Sequence, residues 1–239
     1  MAKKSKARVQ RLSPRQPSSQ KPLTPRRWRL KLVIGGVVLA VALGVGGLVR
    51  FLQQRDLAPH LQGTGDKHYT QGTAGAAVVI KEFSDYTCPH CKMLQEPLER
   101  AMQRFTGQVQ LVFYPFALNP TSEVATQAAW CAGEQGKFWE FHHMLYRRQE
   151  LWSRFAAPLE RLSEFAKDLS LDTAALKHCV ESGRMQDRMK ADKAYGQQLQ
   201  VSSTPTVFIN EYRIVGTQSE GELVRLIRQE LDRVQRPGQ

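Results

Sequence analysis

The stretch DYTCPHCKML, residues 85–94, places Cys88 and Cys91 on either side of Pro89 and His90, in a chain with four cysteines. Two sulfurs two residues apart can clamp a metal, staple a loop or exchange electrons. The position of the pair along the chain decides among these. A β-rich apolar run, AAVVIKEF (Ala76–Phe83), comes just before it. After it, Met93, Leu94, Leu98, Met102 and Phe105 recur at the three-to-four spacing of a helix. Pro89 suits the first turn of that helix, where a missing N–H costs nothing, and Pro97 predicts a kink within it. Cys88 therefore falls where a strand ends and a helix begins. Unpaired N–H groups and the helix dipole favour an anion there, so a thiolate is stabilised and its pKa falls. His90, in the first turn, offers positive charge or a hydrogen bond to the same sulfur. Cys91 lies nearly a turn further on, closer to the core and less open to attack. This arrangement assigns substrate contact to Cys88 and the internal partner role to Cys91.

The elements that must hold this pair follow from the rest of the pattern. VQLVFYPFAL (Val109–Leu118) reads as a second strand, giving β-α-β. From Pro120 to about Leu199 the pattern is helical, with segments near 121–135, 137–149, 157–169, 172–182 and 184–198, so residues 119–199 read as a helical insert. TVFIN (Thr206–Asn210) and RIVG (Arg213–Gly216) read as strands joined by a tight turn at Glu211 and Tyr212. Ser219 is placed to cap a final helix with Leu223, Leu226, Ile227 and Leu231 on one face. The order β-α-β, helical insert, β-β-α predicts an α/β domain over 77–236: a mixed sheet with helices on both faces.

Charge divides the chain. Of the 34 Lys and Arg, eleven fall in residues 1–31, where there is no acid, so 23 remain against 22 Asp and Glu in the body. The body carries no electrostatic footprint for DNA or RNA. The basic tail is followed by LVIGGVVLAVALGVGGLV (Leu32–Val49), an uncharged run that, with Phe51 and Leu52, approaches the roughly 20 residues that span a bilayer. Residues 32–52 are thus expected to be an uncleaved transmembrane helix, with 1–31 cytoplasmic by the positive-inside rule and the body outside the cytoplasm. Residues 53–76, polar and glycine-bearing, read as a linker holding at most a short edge strand.

EFSDYTCPHC (Glu82–Cys91), WCAGEQGKFWEFHHML (Trp130–Leu145) and STPTVFIN (Ser203–Asn210) together resemble the DsbA-type thiol:disulfide oxidoreductases of the thioredoxin superfamily over roughly residues 77–235. The resemblance implies a thioredoxin fold with an inserted helical domain. It implies a cis peptide at Pro205, preceded by Thr204, that turns the backbone toward Cys88 and offers Thr204 main-chain groups to an extended peptide. It also implies a buried acid at Glu82 that handles the proton of the inner cysteine. The activity expected is introduction of disulfides into exported proteins with free cysteines at the bacterial cytoplasmic membrane, on its periplasmic side. A membrane oxidase of the DsbB or vitamin-K-epoxide-reductase kind would accept the electrons, with no metal, flavin or nucleotide cofactor.

With Cys88 and Cys91 paired, Cys131 and Cys179 remain. An oxidising compartment makes them a structural disulfide; the alternative is two small buried thiols. Zinc is the rival for all four, but Cys131 and Cys179 lack the short paired spacing of zinc motifs. A disulfide isomerase or reductase of the same fold, and an anchored peptide-binding module without catalysis, are the other functional alternatives. His142 and His143 read as surface or partly packed helix residues. Trp130, Phe138, Trp139 and Phe141 read as core.

Overall fold

The computed structural model describes residues 68–236. The basic tail, the expected transmembrane helix and most of the linker lie outside them. Among the described residues no helix is long and apolar enough to cross a membrane.

Strand β1 (Thr70–Gly72) lies in the stretch read as linker, as its edge strand. Strand β2 (Val78–Ser84) is buried at every position but Val79, as a strand covered on both faces must be. It feeds helix α1 (Pro89–Gln103), which returns the chain to β3 (Val109–Pro115). β3 runs parallel to β2 from Val78 opposite Val109 to Ser84 opposite Pro115. Helices α2 (Pro120–Glu134), α3 (Phe138–Arg147), a 3-10 turn (Gln149–Leu151), α4 (Leu159–Asp168), α5 (Thr173–Glu181) and α6 (Gln186–Gln198) follow. Strands β4 (Thr206–Ile209) and β5 (Tyr212–Val215) and helix α7 (Glu220–Gln235) complete the domain. The sheet order is β1-β3-β2-β4-β5. β4 pairs antiparallel to β2 with Thr206 opposite Phe83. That register carries Thr204 and Pro205 to the end of β2 from which the Cys88 loop departs.

Side-chain alternation sorts the sheet into two faces. Val78, Ile80, Leu111, Val207 and Ile209 point to one and pack under α1 and α7 through Leu94, Leu98, Leu223 and Ile227. Phe83, Tyr114 and Phe116 point to the other, against Tyr195 of α6. The helical run read as one insert thus divides: α2 to α5, joined by Met189 of α6 and Phe113 of β3, build a core around Trp130, Phe141, Trp152 and Leu176, while Tyr195 of α6 packs on the sheet. Periodicity identified α6 as a helix but carries no information on which layer it covers.

Local chemistry fixes the boundaries. Asn119 and Ser122 form a reciprocal capping box at the start of α2, and the Ser219 hydroxyl accepts the Glu222 N–H at the start of α7. The β4–β5 turn sits one residue earlier than expected, at Asn210 and Glu211, and Tyr212 belongs to the strand. Asn210 takes the left-handed conformation (φ 51), which asparagine tolerates well, and its side chain accepts the Val79 N–H at 2.8 Å.

Candidate active site

Cys88 is the N-cap of α1 and Pro89 its first helical residue. Cys88 is half-buried and Cys91 fully buried, both as free thiols. Pro89 and His90 are exposed at the helix tip. The Cys88 thiol is pulled down to about 5, chiefly by hydrogen bonding from Cys91, opposed by partial burial and aided by the Cys91 backbone, Thr204 and the His90 backbone. His90 therefore acts on the sulfur through its main chain, and its carbonyl accepts from the Thr217 hydroxyl at 3.0 Å. Burial is the main cause that pushes the Cys91 thiol far above the ordinary range; the Asp85 N–H reaches its sulfur at 3.4 Å. One sulfur is thus an accessible thiolate and its neighbour a protected thiol.

The Thr204–Pro205 peptide bond is cis, and the Thr204 carbonyl oxygen lies 3.5 Å from Cys88 Sγ. Pro205 is buried and Thr204 partly so.

Glu82 is fully buried on β2. Its Oε1 accepts from the Ser84 hydroxyl at 2.5 Å and from Gln95 Nε2 at 2.8 Å, while Oε2 has no partner among the described residues. Desolvation raises its carboxyl to about 7, against the pull of those two hydrogen bonds. Among the described residues no three His, Cys, Asp or Glu side chains converge on a point.

A family model described as Thioredoxin matches residues 64–229. The chain belongs to the thioredoxin family. Relatives within it differ in what surrounds the shared domain. The chain is 31% identical over 156 residues to a protein named Na(+)/H(+) antiporter NhaA 1 of Salinispora arenicola, a match covering 64% of this chain and 23% of that one. It thus spans under a quarter of that relative's length. It is 23% identical over 168 residues to Disulfide bond formation protein D of Bacillus subtilis, covering 67% of this chain and 75% of that one. The crystal structure of Wolbachia pipientis alpha-DsbA1 superposes with a TM-score of 0.66 at 18% identity, over 74% of this chain and 97% of that one. The shared architecture is a thioredoxin fold carrying a helical insertion.

Within this thioredoxin-family site, several residues escaped sequence reasoning. His142 is buried at 1% exposure rather than on a helix surface. Its Nε2 meets Gln95 Oε1 and its Nδ1 meets the Tyr86 hydroxyl, each at 3.0 Å. Gln95 oxygen only accepts, so Nε2 carries the ring proton and Nδ1 accepts from Tyr86; burial keeps the ring neutral. His142, Gln95 and Glu82 form a chain from the insert to the acid beneath the cysteines. Gln149, on the 3-10 turn, donates to the carbonyls of Tyr86 at 2.8 Å and Cys88 at 3.0 Å. Asp85 accepts the Thr87 N–H at 2.6 Å and the Leu118 N–H at 2.7 Å. These groups hold the loop that presents Cys88. The adjacency of Asp85 to the cysteine motif was the available signal; Gln149 left none.

The structure joins Cys131 of α2 to Cys179 of α5 in a disulfide, with Cα atoms 6.0 Å apart. Trp130, Phe138 and Phe141 lie in the core beside it, and Trp139 is partly buried at its edge.

Proposed function

We propose that this chain is a thiol:disulfide oxidoreductase that introduces disulfides into exported proteins at the CPHC site. The observation that carries the reading is the split between an accessible, low-pKa Cys88 at a helix N-terminus and a buried, protonated Cys91 one turn in. A depressed thiolate pKa stabilises the dithiol form and makes the corresponding disulfide oxidising, because a stable thiolate is a good leaving group.

In the oxidised enzyme a substrate thiolate attacks Cys88 Sγ. A new substrate–Cys88 bond forms, the Cys88–Cys91 bond breaks, and Cys91 leaves with the electron pair. Burial makes the Cys91 thiolate costly, so it takes a proton, and Glu82 is the buried acid beside it. A second substrate thiolate then attacks the substrate sulfur of the mixed disulfide. Cys88 leaves as thiolate, the substrate carries the disulfide, and the enzyme holds two extra electrons. Pro205 and the Thr204 main chain border Cys88 where an extended peptide would lie, and Leu118 and Leu151, both more than half exposed, offer it apolar contact. A membrane oxidase, quinone-linked, returns the electrons to the respiratory chain, and residues 32–52 as an anchor hold the domain on the periplasmic side near it. The disulfide at Cys131 and Cys179 is structural in this reading.

The test is the reduction potential of the Cys88–Cys91 pair, measured on the full chain by equilibration with glutathione and mass spectrometry of the alkylated cysteines. A value near the roughly −120 mV of DsbA supports a disulfide donor, whereas one near the roughly −270 mV of thioredoxin reverses the electron flow and favours a reductase or isomerase.

A further inference from the structure

His142 of α3 belongs to the helical insert, yet both of its ring nitrogens are engaged beneath the cysteines. The rings of Phe113, Trp139 and Tyr146 stand 4.6, 5.1 and 5.1 Å from it, centroid to centroid, and hold its plane. The direction of each hydrogen bond follows from Gln95. The Gln95 amide nitrogen faces two acceptors, Glu82 Oε1 at 2.8 Å and the Cys91 carbonyl at 3.3 Å. The amide oxygen is therefore the atom turned to His142 Nε2, at 3.0 Å. That oxygen requires an N–H, which leaves Nδ1 bare to accept from the Tyr86 hydroxyl at 3.0 Å. The three bonds thus point one way: Tyr86 donates to His142, His142 to Gln95, and Gln95 to the carboxyl. Donors aligned in series polarise one another, and a hydrogen bond donated to a carboxylate favours its charged form. Ser84 of β2 donates to the same oxygen, and Val207 of β4, opposite Glu82 in register, is apolar. The other titratable neighbours among the described residues are Cys91 of α1, Tyr86, and Tyr146 and His143 of α3. Burial keeps the phenols protonated and both imidazoles neutral.

We propose that His142 is a positioning residue for Glu82: by holding the Gln95 oxygen it keeps the amide N–H on the carboxylate, so the helical insert sets how firmly the acid beneath the cysteines holds its proton. This rests on the reading of Glu82 as the acid that serves the Cys88–Cys91 pair. Without the Nε2–H, the chain loses its polarising donor. Whenever Glu82 is protonated, the Gln95 amide is then free to turn its oxygen to the acid and accept its O–H. Both changes favour the protonated form. His142 touches neither sulfur, and its influence reaches them only through Gln95 and Glu82. The sequence offers two adjacent histidines; only the packing of α3 beside α1 turns His142 toward Gln95.

Two readouts on the reduced full chain test it. The carbon resonance of the isotope-labelled Glu82 carboxyl follows its ionisation directly. Glutathione disulfide supplies the kinetic one: it forms a Cys88–glutathione adduct that Cys91 resolves, read by acid quenching and mass spectrometry. In the wild type both the resonance and the resolving rate should pass through an inflection near pH 7. His142→Asn, too short to reach Gln95, should move both inflections up by about one pH unit and leave the Cys88 thiolate absorbance unchanged. His142→Gln, one methylene longer, restores an N–H at the Nε2 position and should return both inflections to the wild-type value. A carboxyl inflection unmoved in His142→Asn overturns the proposal. So does an equal shift in both variants, which marks a packing defect. Should His142→Asn fail to fold, the wild type decides alone: the nitrogen shifts of labelled His142 should report the Nε2–H tautomer between about pH 6 and pH 8, and an Nδ1–H ring or an imidazolium there overturns the proposal. If Glu82→Gln resolves the adduct at the wild-type rate, the role of Glu82 in exchange fails instead, while the carboxyl resonance still judges the positioning.

Discussion

Cys88 and Glu82 are both displaced from their ordinary values, in opposite senses for stability. Cys88, held near 5 instead of 9, favours the folded dithiol fully above about pH 9, and that contribution is lost as pH falls toward 5. Glu82, held near 7 instead of 4.5, contributes fully below about pH 4.5 and loses its contribution as pH rises through 7. The disulfide form removes the Cys88 thiolate and isolates the carboxyl. In that form the wild type should lose about 3 kcal/mol of stability between pH 4.5 and pH 8 that Glu82→Gln retains. Urea denaturation at the two pH values measures it; equal losses in the two proteins would show that Glu82 titrates in the fold where it does in the unfolded chain. At this scale the sequence was legible where spacing carried meaning. Cys88, Pro89, His90 and Cys91 announce themselves by proximity, and Pro205 by its place before a strand. Gln95 and Gln149 did not, because a glutamine acquires a role only through partners brought near by folding: Gln149 reaches a carbonyl 63 positions away in sequence.

Elements were read well where periodicity and punctuation agreed, as in β2, β3 and the Ser219-capped α7. What escaped was assignment to a layer. α6 shows it: its residues read as a helical segment near 184–198, yet Tyr195 and Gly196 are buried against the back of the sheet. Gly196 explains how the helix comes so close. A Cβ there would stand 2.9 Å from the Phe116 ring and 3.0 Å from Phe83, below ordinary contact. Gly196→Ala should therefore cost about 1–3 kcal/mol by overpacking, seen as a lower urea midpoint, with the Cys88–Cys91 potential unchanged because that pair lies on the other face. A neutral result would mean that α6 slides freely on the sheet, which the ring cluster of Phe83, Tyr114 and Tyr195 argues against.

On the scale of the whole domain, two cores meet at one loop. The sheet core supplies α1 and the cis Pro205 segment, and the insert core supplies Gln149 and His142, so the loop from Asp85 to Cys88 is held from both sides. The insert is therefore part of the active site's support. The disulfide between Cys131 and Cys179 secures that support by joining α2 to α5 across 48 positions. Closing a loop of that length in the unfolded chain is worth about 4 kcal/mol on the chain-entropy account. Cys131→Ala/Cys179→Ala should lower the stability of the full chain by an amount of that order in urea. The loss should fall first on the insert, so hydrogen exchange should quicken in α2 and α5 before it does in β2 and β3. If instead exchange quickens uniformly, the two cores unfold as one unit. The Gln149 clamp on Cys88 would then couple the redox site to the stability of the entire domain.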